Sequence, residues 1–314
     1  MLTPNAPQLS RNYGFWNEAE QARLLGAHVA IGGVGGDGFQ LGLTLAHNGI
    51  QRFSIADPEV FEPENTNRVP GATRSNYGRN KAEVFLEQVH DINSDAEVRL
   101  FTEGVNPDNV GEFMQDADLV FDESELTHPE IGTAIAQEAR RRGIPNVLVM
   151  NVGFAALVTS FHPESKRTFE RLMGIPKGMT PQEVAEAKFE VDFSRVLPYI
   201  PGYGDLNTLL AVQEQPNPAP LPSIKQGVDV ASAIGSTQGI LHLIGKDGHN
   251  RRRNPVWSPH VGYMDAYDLK ADIIKHPKLS YMKHAGVMAL RSKAGLNPKA
   301  SYMTEERLRR EQAQ

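Results

Sequence analysis

The segment between Val29 and Lys81 holds the side chains of this sequence best suited to phosphate chemistry. In order, these are a glycine loop, Gly33-Val34-Gly35-Gly36-Asp37-Gly38, then Asp57, then Asn65-Thr66-Asn67-Arg68, and then Lys81. Glycines let a backbone turn tightly and approach a phosphate closely, and the first turn of a following helix offers unpaired N–H groups and a positive dipole end. The segment therefore predicts a nucleotide site.

The flanks of the loop have the pattern that such a site requires. The apolar run Val29-Ala30-Ile31 predicts a strand, and Gly38 to Ala46 predicts a helix, so the glycines lie between a strand and a helix. Asp57 ends a second apolar run about twenty residues after the last glycine, where a carboxylate can accept hydrogen bonds from ribose hydroxyls. We expect an adenosine-type ribonucleotide.

The basic residues that follow favour a triphosphate over a dinucleotide. A triphosphate with its metal carries more negative charge than a diphosphate bridge and usually recruits cationic side chains near the reacting phosphorus. Arg68 and Lys81 supply such cations, while Asn65 and Asn67 add neutral donors and acceptors. An NAD-dependent oxidoreductase is the alternative outside this class, because the glycine loop and Asp57 alone would serve it.

With these motifs the chain resembles the ThiF/HesA/MoeB family, the adenylating superfamily that includes the ubiquitin-activating enzymes. The resemblance runs from Gln21 to Leu126, resumes at Asn151 to Pro163, and ends in Gln226 to Gly245. It implies an α/β fold: a Rossmann-like, mostly parallel sheet with helices on both faces, extended by a mixed or antiparallel C-terminal part. It also implies that an acceptor carboxylate attacks the α-phosphate of ATP, giving an acyl-adenylate and pyrophosphate.

The resemblance also assigns roles to individual residues. Gly33, Gly35, Gly36 and Gly38 would approach the phosphates, Asp57 the ribose, and Asn65, Asn67, Arg68 and Lys81 the triphosphate and transition state. Arg11 looks like the arginine that reaches into a neighbouring subunit, which implies a homodimer. The catalytic residues expected in this way are Arg68, Lys81, Asn65 and Arg11.

Three departures from the family pattern bear on chemistry. Glu125 replaces the second Asp of the magnesium motif Asp-x-x-Asp, so Mg²⁺ is expected at Glu125 and Asp122 with a shifted carboxylate. Asp37 replaces an apolar residue in the glycine loop, where we expect it to cap the helix or point outward rather than face phosphate. The chain contains no cysteine, which excludes Cys-x-x-Cys zinc binding and a cysteine relay.

Alternating strand and helix patterns predict a sheet covered on both faces. We expect an adenylation domain over residues 1–245, with an irregular proline-rich crossover at about 164–225, and a basic extension over 246–314. From Lys246 onward, Lys and Arg outnumber Asp and Glu by 14 to 7, although the whole chain has a net charge of −6. A basic segment on an acidic body suits either internal attraction or a polyanionic partner.

The remaining expectations concern location and acceptor. Met1 to Arg11 has no apolar segment typical of a secretory signal, and the longest apolar stretch is too short and polar to span a membrane, so we expect a cytoplasmic protein with no membrane association. The acceptor is expected to be a carboxylate of a peptide, small carrier protein or small molecule. Within the family, a tRNA threonylcarbamoyladenosine dehydratase is the alternative, with tRNA as partner; a non-catalytic nucleotide-binding protein is another.

Overall fold

One sheet organises the part of the chain that the computed structural model describes, namely residues 1–189, 191, 201, 203, 222–245 and 254–275. Its strands are β1 His28–Gly32, β2 Arg52–Ala56, β3 Glu97–Phe101, β4 Leu119–Asp122, β5 Asn146–Val152, β6 Ala155–Phe161, β7 His260–Asp265 and β8 Lys270–Lys275. They lie in the order β3-β2-β1-β4-β5-β6-β7-β8. The chain order reverses direction between β1 and β4.

The strand directions confirm the predicted fold class. Strands β1 to β5 are parallel, and β6, β7 and β8 continue the sheet in antiparallel fashion. Strands β1 and β4 are buried along their whole length, as expected for parallel strands with both faces covered. Strands β7 and β8 come from the region that the sequence assigned to the basic extension; of that region, residues 246–253 and 276–314 lie outside the described residues.

Helices cover both faces of this sheet. They are α1 Glu18–Gly26, α2 Gly36–His47, α3 Lys81–Ile92, α4 Val110–Phe113, α5 Pro129–Arg142, α6 Phe169–Met173, α7 Pro181–Glu186 and α8 Lys225–Ile244. A large core joins α2, α3 and α8 to one face, and a second core joins α4 and α5 to the other. None of the helices in the described residues is both long and apolar enough to cross a bilayer.

Local sequence signals explain where most helices begin and end. Asn17 and Glu20 form a capping box at α1, and Asn80 caps α3 by accepting from two backbone N–H groups. Helix α5 ends where Gly143 adopts a left-handed conformation with φ of 73°. The sequence predicts these helices to within about one or two residues, the usual uncertainty of helix ends.

The crossover helix differs from its sequence prediction. The pattern predicts a helix from Thr180 to Val191, whereas α7 ends at Glu186. The predicted capping box is present, since Thr180 accepts from the Glu183 N–H and the Glu183 side chain accepts from the Thr180 N–H. The helix ends early because Lys188 adopts a positive φ of 46°, a conformation that an α-helix does not continue through.

Helix α8 lies unusually close to the sheet because small residues face it. A Cβ atom on Gly235 would lie 2.8 Å from Val149 Cγ2, and one on Gly239 would lie 2.7 Å from Phe121 Cζ. At its first turn, a Cβ atom on Gly227 would lie 2.2 Å from the carbonyl oxygen of Gly153. This contact fixes the start of α8 against the turn between β5 and β6, next to the glycine loop.

Candidate nucleotide site

The glycine loop lies at the carboxyl end of β1, where the strand order reverses between β1 and β4. Ligands of open α/β sheets bind in the crevice at this kind of reversal. Gly33 has a φ of 107°, and a Cβ atom there would lie 2.4 Å from the carbonyl oxygen of Glu123. A Cβ atom on Gly38 would lie 2.0 Å from the carbonyl oxygen of Gly33. Packing within the loop therefore requires glycine at both positions.

The other two glycines of the loop are placed differently. Gly35 is the N-cap of α2 and has no side-chain cap, and a Cβ atom on it would meet nothing within 4 Å among the described residues. A Cβ atom on Gly36 would lie 2.8 Å from Val228 of α8 and 3.8 Å from Arg68 Cγ. The first turn of α2 therefore opens into free space at Gly35, with the Arg68 stem beside it. An anion fits such a helix end.

Asp57 follows β2 and is buried against the loop. Its carboxylate accepts hydrogen bonds from the Val34 N–H at 2.8 Å and from the Glu59 N–H at 2.9 Å. Burial raises the pKa of Asp57, while the charge of Lys81 and the two N–H groups act in the opposite direction. Because a carboxylate has about four lone-pair sites, Asp57 retains acceptor capacity for ribose hydroxyls while it holds the loop in place.

Lys81 is brought to the loop by the first turn of α3. Its side chain is 6% exposed and forms an ion pair with Glu59, whose side chain is 58% exposed. The Lys81 N–H donates to the Glu59 carbonyl, and the Asn80 amide donates to the carbonyls of Asp57 and Glu59. The cation is thus fixed beside Asp57, and a bound phosphate must compete with Glu59 for it.

We predict that Glu59→Gln tightens the binding of ATP by about two- to fivefold, the range expected for losing a largely exposed competing carboxylate. Isothermal titration calorimetry with ATP and with pyrophosphate measures the change. Glu83→Gln, on the exposed side of α3, is the matched control and is expected to leave both affinities unchanged. Weaker ATP binding by Glu59→Gln would show that Glu59 supports the site instead of competing within it.

Arg68 directly follows a 3-10 helix, Pro63–Asn67, which contains Asn65 and Asn67. Asn65 is buried, and its side-chain oxygen accepts from the Glu62 N–H at 3.0 Å, so part of its hydrogen-bonding capacity holds this turn. Arg68 Nη1 donates to the Glu64 carbonyl at 3.1 Å and to Asn67 Oδ1 at 2.9 Å. Local structure thus holds the guanidinium near the loop.

Asp37 does not behave as the sequence predicts. It neither caps α2 nor points outward: it is 9% exposed, and its carboxylate accepts from the backbone N–H and the side-chain amide of Asn151, each at 2.9 Å. Burial raises the pKa of Asp37 to about 6, opposed by these hydrogen bonds and by the charge of Arg68. The expectation was wrong because the end of β5, remote in sequence, lies within reach of the loop.

The acidic segment after β4 holds the two carboxylates predicted to bind metal. Asp122 is buried, its Oδ1 accepts from Ser124 Oγ at 2.6 Å, and burial raises its pKa to about 6. Its Oδ2 has no hydrogen-bond partner among the described residues. Glu125 is exposed and accepts from Thr127 Oγ1 at 2.9 Å. The described residues contain no group of three or more potential ligands, so Mg²⁺ at this place remains a prediction.

Glu123 lies between Asp122 and Glu125 in the chain, and the sequence patterns do not single it out. Its Oε1 is buried without a hydrogen-bond partner among the described residues. Burial raises its pKa well above the usual value, and the neighbouring charges of Asp37 and Asp122 add to the effect. The acidic side chains of Asp37, Asp122 and Glu123 therefore lie together beneath the loop.

Two further positions complete the comparison with the sequence. Arg11 is exposed in the segment before α1, and its role in a neighbouring subunit remains a prediction. Sequence reasoning missed Glu59, Glu123 and Asn151. Glu59 is two residues from Asp57, so its position offered a signal, whereas nothing local marks Asn151.

Comparisons with known proteins show the family of the chain. The model of the ThiF family matches residues 9–277. The tRNA threonylcarbamoyladenosine dehydratase of Escherichia coli K12 is 34% identical over 128 residues, 40% of this chain and 47% of that protein. The vegetative protein HesA of Trichormus variabilis is 34% identical over 109 residues, 35% of this chain and 41% of that protein. The chain thus spans under half the length of these relatives.

A solved structure shares the fold at low identity. Escherichia coli MccB, crystallised with ATP, superposes with a TM-score of 0.61 and 17% identity, over 87% of this chain and 72% of that one. The same enzyme, described as a microcin C7 biosynthetic enzyme, has also been solved with N-formylated MccA, with a TM-score of 0.60. The likeness establishes the sheet topology described above.

Proposed function

The chain belongs to the ThiF family of ATP-using adenylating enzymes, and on this premise we propose that it adenylates a carboxylate of a peptide, a small carrier protein or a small molecule. The observation that carries the proposal is the convergence of Gly35, Asp57, Arg68 and Lys81 on one crevice at the strand-order reversal. A dinucleotide site does not require two cations at this place, because its pyrophosphate is held at the glycine loop and the helix N-terminus. A triphosphate does, because charge must be stabilised on the leaving pyrophosphate.

The proposed reaction is an in-line displacement. A carboxylate oxygen of the acceptor attacks the α-phosphorus of ATP, and the bond from that phosphorus to the α–β bridging oxygen breaks. The electron pair leaves with pyrophosphate, and the acceptor becomes an acyl-adenylate. Arg68 and Lys81 stabilise the negative charge that accumulates on the phosphate oxygens, and Asp57 holds the loop and the ribose.

We propose that the site holds both ATP and Mg²⁺. The open space at Gly35 accommodates a phosphate at the start of α2. Mg²⁺ binds proteins through one or two carboxylates and otherwise through water and phosphate. At the end of β4, Asp122 has a buried oxygen, next to Gly132 of α5, that has no hydrogen-bond partner among the described residues. Asp122 and Glu125 would hold the ion, which neutralises phosphate charge when bound. Arg11 of a second copy would add a further cation if the protein is a homodimer.

No step of the proposed reaction requires a sulfur nucleophile. Since the chain has no cysteine, the adenylate is either released or captured by an external nucleophile. Exchange of labelled pyrophosphate into ATP tests the proposal directly. It is expected only when a suitable carboxylate acceptor is present, and calorimetry is expected to show binding of ATP without binding of NAD. Binding of NAD alone would favour the oxidoreductase alternative.

A second candidate function follows from the relatives. The E. coli protein that is 34% identical over 128 residues is a tRNA threonylcarbamoyladenosine dehydratase, so an activated carboxylate on tRNA is the alternative acceptor. If tRNA binds through phosphate contacts, log affinity is expected to fall linearly with log salt, by about 0.9 for each phosphate neutralised in a duplex region. Filter binding from 50 to 200 mM salt measures the slope. A flat slope would remove tRNA as the acceptor.

A further inference from the structure

Asp37 begins a chain of hydrogen bonds that leads from the glycine loop to Arg68. Asn151 donates its backbone N–H and its side-chain amide Nδ2 to the Asp37 carboxylate, and Ser223 Oγ donates to Asn151 Oδ1 at 2.8 Å. Asn67 Nδ2 then donates to the Ser223 carbonyl at 2.9 Å, and Arg68 Nη1 donates to Asn67 Oδ1 at 2.9 Å. We call these five residues the Asp37 chain.

The Asp37 chain connects four segments that are distant in sequence. Asp37 belongs to α2, Asn151 to the end of β5, Ser223 to the segment that enters α8, and the last two residues to the end of the 3-10 helix. Helix α8 meets the same place, because Val228 packs on Gly36. The crossover therefore ends against the glycine loop, and its last residues contact the neighbour of the proposed catalytic arginine.

A buried carboxylate without a cation in direct contact is costly unless its hydrogen bonds are complete. Among the described residues, Asn151 donates the hydrogen bonds to Asp37, from its backbone N–H and its side-chain amide, and it thereby presents its side-chain oxygen to Ser223. The charge of Asp37 therefore selects the amide orientation of Asn151. That orientation in turn selects the position of Ser223.

We propose that Asp37 is a positioning residue that acts through Asn151 and Ser223 to hold Asn67 and Arg68 in the geometry for adenylyl transfer. The proposal rests on the proposed function. An arginine side chain loses rotamer freedom when it is fixed, and a prearranged donor does not incur this loss during the reaction.

The test uses an isosteric pair of substitutions. Asp37→Asn replaces one acceptor oxygen by an NH₂ group, which must face an N–H of Asn151 or force its amide to turn away from Ser223. Asp37→Asn combined with Asn151→Asp restores the bond from the backbone N–H, one bond between the two side chains with its direction reversed, and the bond from Ser223; only the second contact of the side-chain amide is lost. The amide oxygen at position 37 again accepts from the backbone N–H, its NH₂ donates to the new carboxylate, and the other carboxylate oxygen accepts from Ser223.

We expect Asp37→Asn to lower kcat of pyrophosphate exchange by about ten- to a hundredfold, the scale of a misplaced catalytic group, with the Kd for ATP unchanged or lower because a negative charge is removed. The double variant is expected to recover most of kcat. Asp118→Asn is the matched control, because Asp118 also accepts a backbone N–H, from His28, at the opposite end of β1. It should leave kcat unchanged.

Hydrogen–deuterium exchange without ATP provides a readout that does not depend on activity. Backbone amides of residues 65–69 and 223–228 are expected to exchange faster in Asp37→Asn, and at the wild-type rate in the double variant. Wild-type protein that shows no pyrophosphate exchange with peptide, carrier-protein and small-molecule carboxylates supplied would refute the proposed function but leave the hydrogen–deuterium exchange test valid. An unchanged kcat in Asp37→Asn would overturn the positioning role. A double variant that folds normally but does not recover kcat would overturn it as well.

Discussion

Replacing Lys81 by alanine is expected to lower the rate of ATP–pyrophosphate exchange by about a hundredfold or more. Removing one preorganised group that stabilises transition-state charge typically costs about 3–4 kcal/mol of barrier. Lys81 is held for such a role, because it is almost fully buried, fixed by the first turn of α3, and forms its ion pair with a largely exposed glutamate. A phosphate that displaces Glu59 meets a cation already in place.

The experiment needs a variant that separates charge from packing. Lys81→Ala also removes a buried aliphatic stem, whereas Lys81→Gln keeps most of that stem and removes only the charge. Both are expected to lose exchange activity to a similar extent. Lys177→Ala, at an exposed position of the crossover, is the control. Wild-type exchange rates in Lys81→Gln, in a protein that melts normally, would remove Lys81 from the reaction.

The second large effect is expected at the glycine loop. In Gly38→Ala the new Cβ atom would lie 2.0 Å from the carbonyl oxygen of Gly33 and 3.2 Å from Glu123 Cβ. Neither a backbone carbonyl nor the start of a helix can yield easily, and overpacking of this kind costs about 1–3 kcal/mol, occasionally more. We expect a corresponding loss in the free energy of unfolding, measured by urea denaturation, together with loss of ATP binding.

Gly35→Ala separates the packing role of the glycine loop from its proposed role in phosphate binding. Gly35 has a φ of −71° and open space at its Cβ position, so the substitution is expected to leave the free energy of unfolding within about 0.5 kcal/mol of wild type. The same methyl group would occupy the space proposed for a phosphate, and ATP affinity should fall. If Gly35→Ala binds ATP normally, the phosphates do not lie where we place them.

Much of the fold could be predicted from sequence because its signals are local. Apolar β-branched runs predict the parallel strands, and Asn80, Thr180 and Gly143 mark helix ends through hydrogen bonds or backbone conformations that involve only nearby residues. The antiparallel part was expected from the family resemblance and is confirmed by the pairing of β6, β7 and β8. The predicted length of α7 was wrong, because the capping box at Thr180 marks where the helix begins but not where it ends.

The sequence by itself determined the chemical inventory: a glycine loop, one carboxylate proposed to bind ribose, two cations, and no sulfur nucleophile. Only the tertiary structure decided how these groups are paired. Lys81 faces Glu59, and Asp37 faces Asn151, 114 residues away along the chain. Propensity and spacing act over a few residues. The partner of a buried charge is set by which strand ends and helix starts the sheet brings together, and no local pattern encodes that.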